Sequence, residues 1–424
     1  MTIVPSSDKK RIVIIGGGFA GINLVKKLAG SNFQVVLLDK HNYHTFQPLL
    51  YQVATGGLEP DSIAFPLRKI FGRQKDFYFR VAGVHQILPK ENKLITDIGE
   101  INYDHLVIAT GSTNNFFGMD GMQHNAMPLK SIPEALDLRS LILQNMEMAL
   151  VDTDNHEAYF NIVVVGGGPT GVEVSGALVE LKKHVLPNDY PELDLSKTKV
   201  WLIEAGDQLL KGLSRNASDK SLAYLQEMGV NVMLNTRVGD FDGVKLLYDN
   251  DKCLYTKTVI WAAGVKGAYV EGLNKDVANT SSRYLVDRFQ KINGYNNIYA
   301  IGDVAGMIDE VLPYGHPMVA QVAIQQAKNL GKNFKAMDRG AEIFPFRYRD
   351  LGSMATVGRN KAVADLPWYS TQGVLAWFIW MFVHLMALVG FRNRVIVFIN
   401  WLWSYFSYDR AIRLIIRPYR KMKK

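Results

Sequence analysis

A run of β-branched residues that ends in three glycines and opens into a helix occurs twice in this chain, 150 residues apart. No other feature constrains the fold as much. Residues 11–15 lead into Gly16, Gly17 and Gly18, a helix-compatible stretch to Ala29, and a second apolar run, 34–38, closed by Asp39. The same grammar returns at Asn161: residues 162–165, then Gly166, Gly167 and Gly168, a helix through Lys183, and the run 199–203 closed by Glu204. Glycines at such a turn permit the tight bend, let the backbone approach a pyrophosphate and let the helix pack closely on the strand. The helix N-terminus adds amide donors and a positive dipole end. Two units predict an α/β chain with two Rossmann-like dinucleotide-binding domains, not one long sheet.

The first turn, Gly16, Gly17, Gly18, Phe19, Ala20 and Gly21, is the expected seat of one dinucleotide. The second, Gly166, Gly168, Pro169, Thr170 and Gly171, is the seat of another. Glu204 is placed to accept hydrogen bonds from an adenosine ribose, and its charge would repel a 2′-phosphate, which favours NADH over NADPH. It stands 33 residues past Gly171, against a usual spacing of about 20. Residues 188–197, with Pro191, read as a loop inserted before the strand. The plainer alternative is that Glu204 merely ends a strand. Two such sites make a circuit in which FAD is held and NADH arrives and leaves.

Cys253 is the only cysteine. An intramolecular disulfide, a Cys-x-x-Cys pair and a thiolate metal cluster are therefore excluded, and electron transfer must run on a bound organic cofactor. The formal charge of +8 is concentrated at the end: Arg410, Arg413, Arg417, Arg420, Lys421, Lys423 and Lys424 face one acid, Asp409. So local a cluster argues against a nucleic-acid groove. The polar, short segment before the first strand lacks an apolar signal region, so the body of the protein is expected in the cytoplasm.

Several motifs beyond the glycines resemble the two-dinucleotide-binding-domain flavoproteins, and within them the type II NADH:quinone oxidoreductases, over essentially the whole chain. Val107-Ile108-Ala109-Thr110-Gly111 is similar to the strand that returns toward the flavin, and Ala300-Ile301-Gly302-Asp303 to the FAD-binding Gly-Asp signature. Residues 259–265, with Ala263 and Gly264, match the equivalent strand of the NADH domain. The resemblance also implies Asp39 and Lys40 at the FAD adenosine end and Val84 at the adenine. The segment Ala320-Gln321-Val322-Ala323-Ile324-Gln325-Gln326 is similar to the family's quinone-site segment. Gln321 and Gln325 are four apart on a helix, so both amides can face one pocket. By resemblance Ala320 and Gln321 lie beside the isoalloxazine. Read without the family, a Gln-rich helix is usually a solvated face.

Glu173 follows Gly171 by two residues. Near a helix N-terminus it can serve only as a dipole complement. The resemblance implies more: a position near the flavin, orienting the nicotinamide or relaying a proton, since quinone reduction takes up two protons and an apolar site needs a titratable group to supply them.

Residues 373–390 are almost wholly apolar and aromatic, with His384 their only ionisable group, and a second aromatic run follows Arg394 to Tyr408. Eighteen residues are at the lower limit for a span, whereas Trp and Tyr favour the headgroup boundary and basic residues complement anionic lipid. The expectation is an interfacial anchor of two helices from about 373 to 424, with a buried core or dimer-contact helix and a true span as alternatives.

The domains expected are FAD-binding, 1–115 and 290–345; NADH-binding, 116–289; and a C-terminal anchoring region, 346–424. The activity expected is non-pumping transfer of hydride from NADH to FAD and of two electrons, with two protons, to a membrane quinone. The setting is the cytoplasmic face of the inner membrane, with a homodimer implied by resemblance. The alternatives are a soluble NADH-dependent reductase of an electron-carrier protein and a non-catalytic FAD/NADH sensor. Sulfide:quinone reductase shares the fold, but its thiolate chemistry does not suit a chain with one cysteine.

Overall fold

The computed structural model describes residues 3–72, 74–152, 156–310, 312–313, 315–407, 413–415 and 417–419. The chain forms two compact units, one of residues 1–44, 65–113 and 265–350, the other of 45–64, 114–264 and 351–424.

The core of the first unit is a five-stranded sheet in the order Ile298–Ala300, His105–Ile108, Arg11–Ile15, Gln34–Asp39, Phe77–Val81. Every pairing is parallel. Ile12, Val13 and Ile14 are fully buried. A continuous apolar run, rather than an alternating one, is what a strand covered on both faces requires. The helices Phe19–Leu28 and Ala320–Asp338 pack against each other. The strand Tyr284–Val286 pairs with Ala305–Met307. That pairing draws 265–289 into this unit, whereas the sequence reading assigned it to the NADH-binding domain.

The second unit repeats the plan: Met127–Pro128, Thr258–Trp261, Asn161–Val165, Lys199–Ile203, Val230–Met233, again all parallel. The expected inserted loop before Lys199 carries the short helix Leu186–Asp189 and a 3₁₀ turn, Leu195–Lys197. In both sheets the strand before the glycine turn has neighbours running off in opposite directions along the sheet. That is a topological switch point, where open α/β sheets bind ligands beyond the carboxyl ends of their strands.

The C-terminal residues are not a separate body. An antiparallel sheet, Ser353–Gly358, Lys361–Leu366 and Tyr369–Gln372, packs on the helix Pro169–His184. It leads into two further helices, Val374–Ala387 and Phe391–Ser407. Among the described residues no helix is long and apolar enough to cross a membrane. The run 373–390 is interrupted because Leu388 leaves the helical region at φ −60°, ψ 139°. Fourteen helical residues cover about 21 Å, short of a hydrocarbon core of about 30 Å.

Candidate active site

The two glycine turns are built alike. Gly16 has φ +107°, and a side chain on Gly21 would lie 1.9 Å from the Gly16 carbonyl oxygen. Gly166 has φ +110°, and a side chain on Gly171 would lie 1.8 Å from the Gly166 oxygen. Gly17 N–H donates to Asp39 Oδ2 at 2.6 Å, and His41 N–H to Asp39 Oδ1 at 2.7 Å. In the second unit Gly167 N–H donates to Glu204 Oε2 and Gly206 N–H to Glu204 Oε1, both at 2.6 Å. The acid that closes each second strand therefore holds the turn in shape, a role neither sequence reading of Glu204 included. Each carboxylate keeps further lone pairs for a ribose hydroxyl.

Around the first turn, Thr110 donates its hydroxyl to the Ala268 carbonyl at 2.6 Å, and Gly111 has φ +74° with open space where a Cβ would stand. Ser112 donates to Asp303 Oδ2 at 2.5 Å. Gly302 is wedged with Ala20 and Ala323 at 3.3 Å from its would-be Cβ. Phe19 and Ala20 open the helix Phe19–Leu28; Lys40 is exposed and Val84 half-buried. Around the second turn, Pro169 and Thr170 are exposed at the helix start, and Ala263 and Gly264 follow directly on the strand Thr258–Trp261.

Two residues of the first unit escaped the sequence reading. His44 Nδ1 lies 3.1 Å from the Gly17 carbonyl oxygen, while its Nε2 is buried with no hydrogen-bond partner among the described residues. Burial lowers its pKa to about 4, so the ring is neutral. Gln326 is fully buried and its Oε1 accepts the Gly302 N–H at 2.7 Å. The glutamines that were singled out are differently employed. Gln325 exchanges hydrogen bonds with the Arg349 backbone, at 2.8 and 3.0 Å, and Gln321 donates to Asp350 at 3.3 Å. Both tie the helix Ala320–Asp338 to the segment that leaves this unit. The signal for Gln326 was its place one residue beyond Gln325, on a face that the i, i+4 argument did not consider.

The second unit contains an open-mouthed cavity of about 120 Å³. One wall comes from the helix Pro169–His184: Glu173, Ala177, Glu180 and His184. The opposite wall is aromatic, with Trp377, Trp380, Met381, Trp401 and Tyr405 from the last two helices. Thr356 to Arg359 and residues of the helix Leu50–Ala54 close it. Glu173 is 7% exposed. Thr356 N–H reaches its Oε1 at 3.5 Å, and the Trp380 indole stands nearby but outside hydrogen-bond geometry. Burial dominates and raises the carboxyl pKa to about 8. This acid is protonated at neutral pH and able to release its proton near it.

The pyridine nucleotide-disulphide oxidoreductase family pattern matches residues 10–327, and the NDH2 C-terminal domain pattern matches 351–407. The type II NADH:quinone oxidoreductase Ndh of Mycobacterium tuberculosis is 34% identical over 95% of this chain and 89% of its own length. The chain belongs to the type II NADH:quinone oxidoreductases. An internal alternative NAD(P)H-ubiquinone oxidoreductase of Arabidopsis thaliana is 30% identical over 96% of this chain and 86% of its own. The structure of NDH2 from Plasmodium falciparum in complex with NADH superposes with a TM-score of 0.86 at 23% identity, covering 96% of this chain and 100% of that one. The sulfide:quinone oxidoreductase of Aquifex aeolicus shares the fold, with a TM-score of 0.71 at 20% identity over 94% of this chain and 95% of that one. Membership sets aside the soluble-reductase and sensor readings.

In this oxidoreductase the last helix is riveted by side chains. Asn393 donates to the carbonyls of Asp61 and Ala64 at 3.1 and 2.9 Å, Asn400 to Glu59 at 2.6 Å and Trp401 to Gln52 at 2.8 Å. The preceding helix buries Ala376 and Trp380, the latter stacked on His384 with ring centroids 4.2 Å apart. The outer faces carry Phe378, Phe382, Phe391, Trp403 and Phe406, each more than half exposed. Two residues of the basic stretch are committed to protein acids, Arg413 to Asp189 at 3.2 Å and Arg417 to Asp137 at 2.5 Å. Arg410, Arg420, Lys421, Lys423, Lys424 and Tyr408 lie outside the described residues. Gly176 was also missed. A Cβ there would sit 1.6 Å from the Val357 oxygen, so this mid-helix glycine sets how closely Thr356 approaches Glu173. A lone glycine within an apolar helical pattern was its signal.

Proposed function

We infer that the chain transfers hydride from NADH to FAD and two electrons onward to a quinone, without proton pumping, and that the cavity beside Glu173 receives the quinone ring. The observation that carries the site is one buried carboxyl in a cavity walled by the same two helices that present an apolar outer face. A quinone has an apolar body and two polar oxygens, so it matches aromatic walls with one buried acid.

The first glycine turn fits FAD. Positions 18 and 111 open onto free space, positions 16 and 21 exclude any side chain, and His44 brings an unpartnered ring nitrogen. Gly16, Gly17, Gly18, Phe19, Ala20 and Gly21 would hold the pyrophosphate, with Asp39, Lys40 and Val84 at the adenosine end. Thr110, Gly111, Gly302, Asp303, Ala320 and Gln321 would hold the ribityl and ring end. When bound, FAD takes the hydride and releases electrons in pairs. Gly166, Gly168, Pro169, Thr170 and Gly171 cradle NADH, Glu204 orients its ribose, and Ala263 and Gly264 flank it. Glu173 holds a proton for the quinone oxygen, while Gln321 and Gln325 brace the helix Ala320–Asp338 through Asp350 and Arg349.

The apolar faces of the last two helices rest on lipid at the cytoplasmic surface of the inner membrane, as a homodimer. Tryptophans and arginine at that boundary suit a monotopic attachment. E173Q tests the site: flavin bleaching by NADH should stay close to the parent rate, while recovery on adding quinone should slow about a hundredfold. Unchanged recovery would exclude Glu173.

A further inference from the structure

Phe117 stands in a position that ordinary folding rules give to another residue. Its backbone lies in the left-handed region, at φ +52°, and Gly118 follows at +79°. The Met119 N–H donates to the Phe116 carbonyl at 3.0 Å and closes the turn around them. A tight turn with positive φ at both central residues selects Asn-Gly or Gly-Gly, and a bulky side chain there is strained. The ring is also 63% exposed, whereas Phe116 and Met119 on either side pack against the core that holds Val165 and Trp261. Strain and exposure together have no folding gain to offset them, and such outliers gather where a ligand is held.

The turn is fastened to one place. Asn115 N–H donates to the Gly264 carbonyl at 3.1 Å, the Trp261 indole N–H to the Asn115 carbonyl at 3.0 Å, and the Phe117 N–H to Asn115 Oδ1 at 3.1 Å. The Phe117 ring lies against Gly264, where a Cβ would meet it at 2.7 Å. Trp261 meets the ring at 62°, with centroids 6.3 Å apart. Gly264 follows on the strand Thr258–Trp261, and the backbone of Ala262 and Ala263 is 2.6 Å from the Cβ position of Gly166. The exposed ring therefore stands at the carboxyl end of the second sheet, beside the glycine turn. Glu204 lies on the other side of that turn, because Asn161–Val165 separates the strand Thr258–Trp261 from Lys199–Ile203. With the pyrophosphate on the turn and the adenosine ribose on Glu204, the remaining half of the dinucleotide extends over the strand Thr258–Trp261. Resting on that assignment of NADH to the second unit, we propose that Phe117 packs on the nicotinamide half of NADH and fixes its ring for hydride transfer. The hydride departs for FAD with both electrons of the broken C–H bond and leaves the nicotinamide as a cation. An aromatic face attracts a cation, so the contact strengthens as the hydride leaves.

The test is calorimetric binding of NAD⁺ and of ADP-ribose, which lacks the nicotinamide, to the oxidised holoenzyme, together with stopped-flow bleaching of the flavin by NADH. Phe117→Asn suits the left-handed backbone and removes the ring. It should bind NAD⁺ about fivefold more weakly, and saturating NADH should bleach its flavin about tenfold more slowly. ADP-ribose should keep its parental affinity. Phe117→Tyr, which retains the ring, should match the parent, and Phe117→Leu should lose NAD⁺ affinity as the Asn variant does; this pair decides the matter if the Asn variant does not fold. Parental NAD⁺ affinity and bleaching without the ring would overturn the contact. Equal weakening of NAD⁺ and ADP-ribose would mark Phe117 as a brace for the strand end and also overturn it. Glu204→Gln tests the seat itself and should weaken ADP-ribose. Parental binding of ADP-ribose by that variant would remove NADH from this unit, and the role of Phe117 with it.

Discussion

Thr356 donates its backbone N–H to the Glu173 carboxyl Oε1 across 3.5 Å, from a strand of the C-terminal sheet to a helix that follows the second glycine turn. The contact is long, so burial governs the acid, and its pKa rises from 4.5 to about 8. Unfolding releases that proton between these values, so stability falls as pH rises through the window, on the order of 1 kcal/mol per pH unit. E173Q lacks the titration. Its melting temperature should exceed the parent's by a margin that widens from pH 5 to about pH 8, read by thermal scans across that range.

Gly176→Ala should be severely destabilising, because the new methyl meets the Val357 oxygen at 1.6 Å. Relief requires the helix and the strand Ser353–Gly358 to separate, at a cost of about 3 kcal/mol or more. Urea unfolding of the two proteins checks the figure. An unchanged midpoint would contradict the packing.

Gln326→Leu removes the acceptor of the Gly302 N–H. A buried donor left unsatisfied costs about 1–3 kcal/mol. Because Gly302 adjoins Asp303, flavin retention should fall with stability, measured as the ratio of flavin to protein absorbance after gel filtration. Gln326→Glu, which keeps an acceptor at that position, should lose less.

Glu204→Gln keeps one oxygen for the glycine turn but withdraws the negative charge. The ratio of kcat/KM for NADPH to that for NADH should rise on the order of tenfold, since a like-charge clash with a 2′-phosphate is relieved. KM for NADH should rise too, because one of the two N–H donors at Gly167 and Gly206 loses its partner.

Phe382→Ser combined with Phe406→Ser should weaken binding to anionic liposomes by more than tenfold, as each exposed ring contributes about 1.5–3 kcal/mol when buried in lipid. Flotation assays give the partitioning. Turnover on a short-tailed soluble quinone should persist, because neither side chain lines the cavity.

Local chemistry made much of this legible without coordinates. A glycine turn between a strand and a helix is specified within a dozen residues, since positive φ at Gly16 and Gly166 and the close approach at Gly21 and Gly171 tolerate no side chain. Both parallel sheets followed from it, as did the FAD and NADH seats proposed on them. The apolar runs near the end likewise announced two helices with an outer face unlike a soluble surface. Side-chain partners were less legible. Gln325 was read as a pocket residue, yet its amide is taken up by the Arg349 backbone, 24 residues on. Nothing local distinguishes a glutamine that faces a ligand from one that caps a neighbouring loop.

The sequence by itself determined two dinucleotide folds, the absence of a cysteine pair and two apolar, aromatic runs near the end, because each depends on residues close together in the chain. Only the tertiary structure decided that the strand Ser353–Gly358 and the helix Val374–Ala387 close over Glu173. It also decided that Asp39 and Glu204 hold their own glycine turns, and that residues 265–289 belong with the first unit. Burial is a sum over neighbours from distant segments, and the proton affinity of Glu173 is set by that sum.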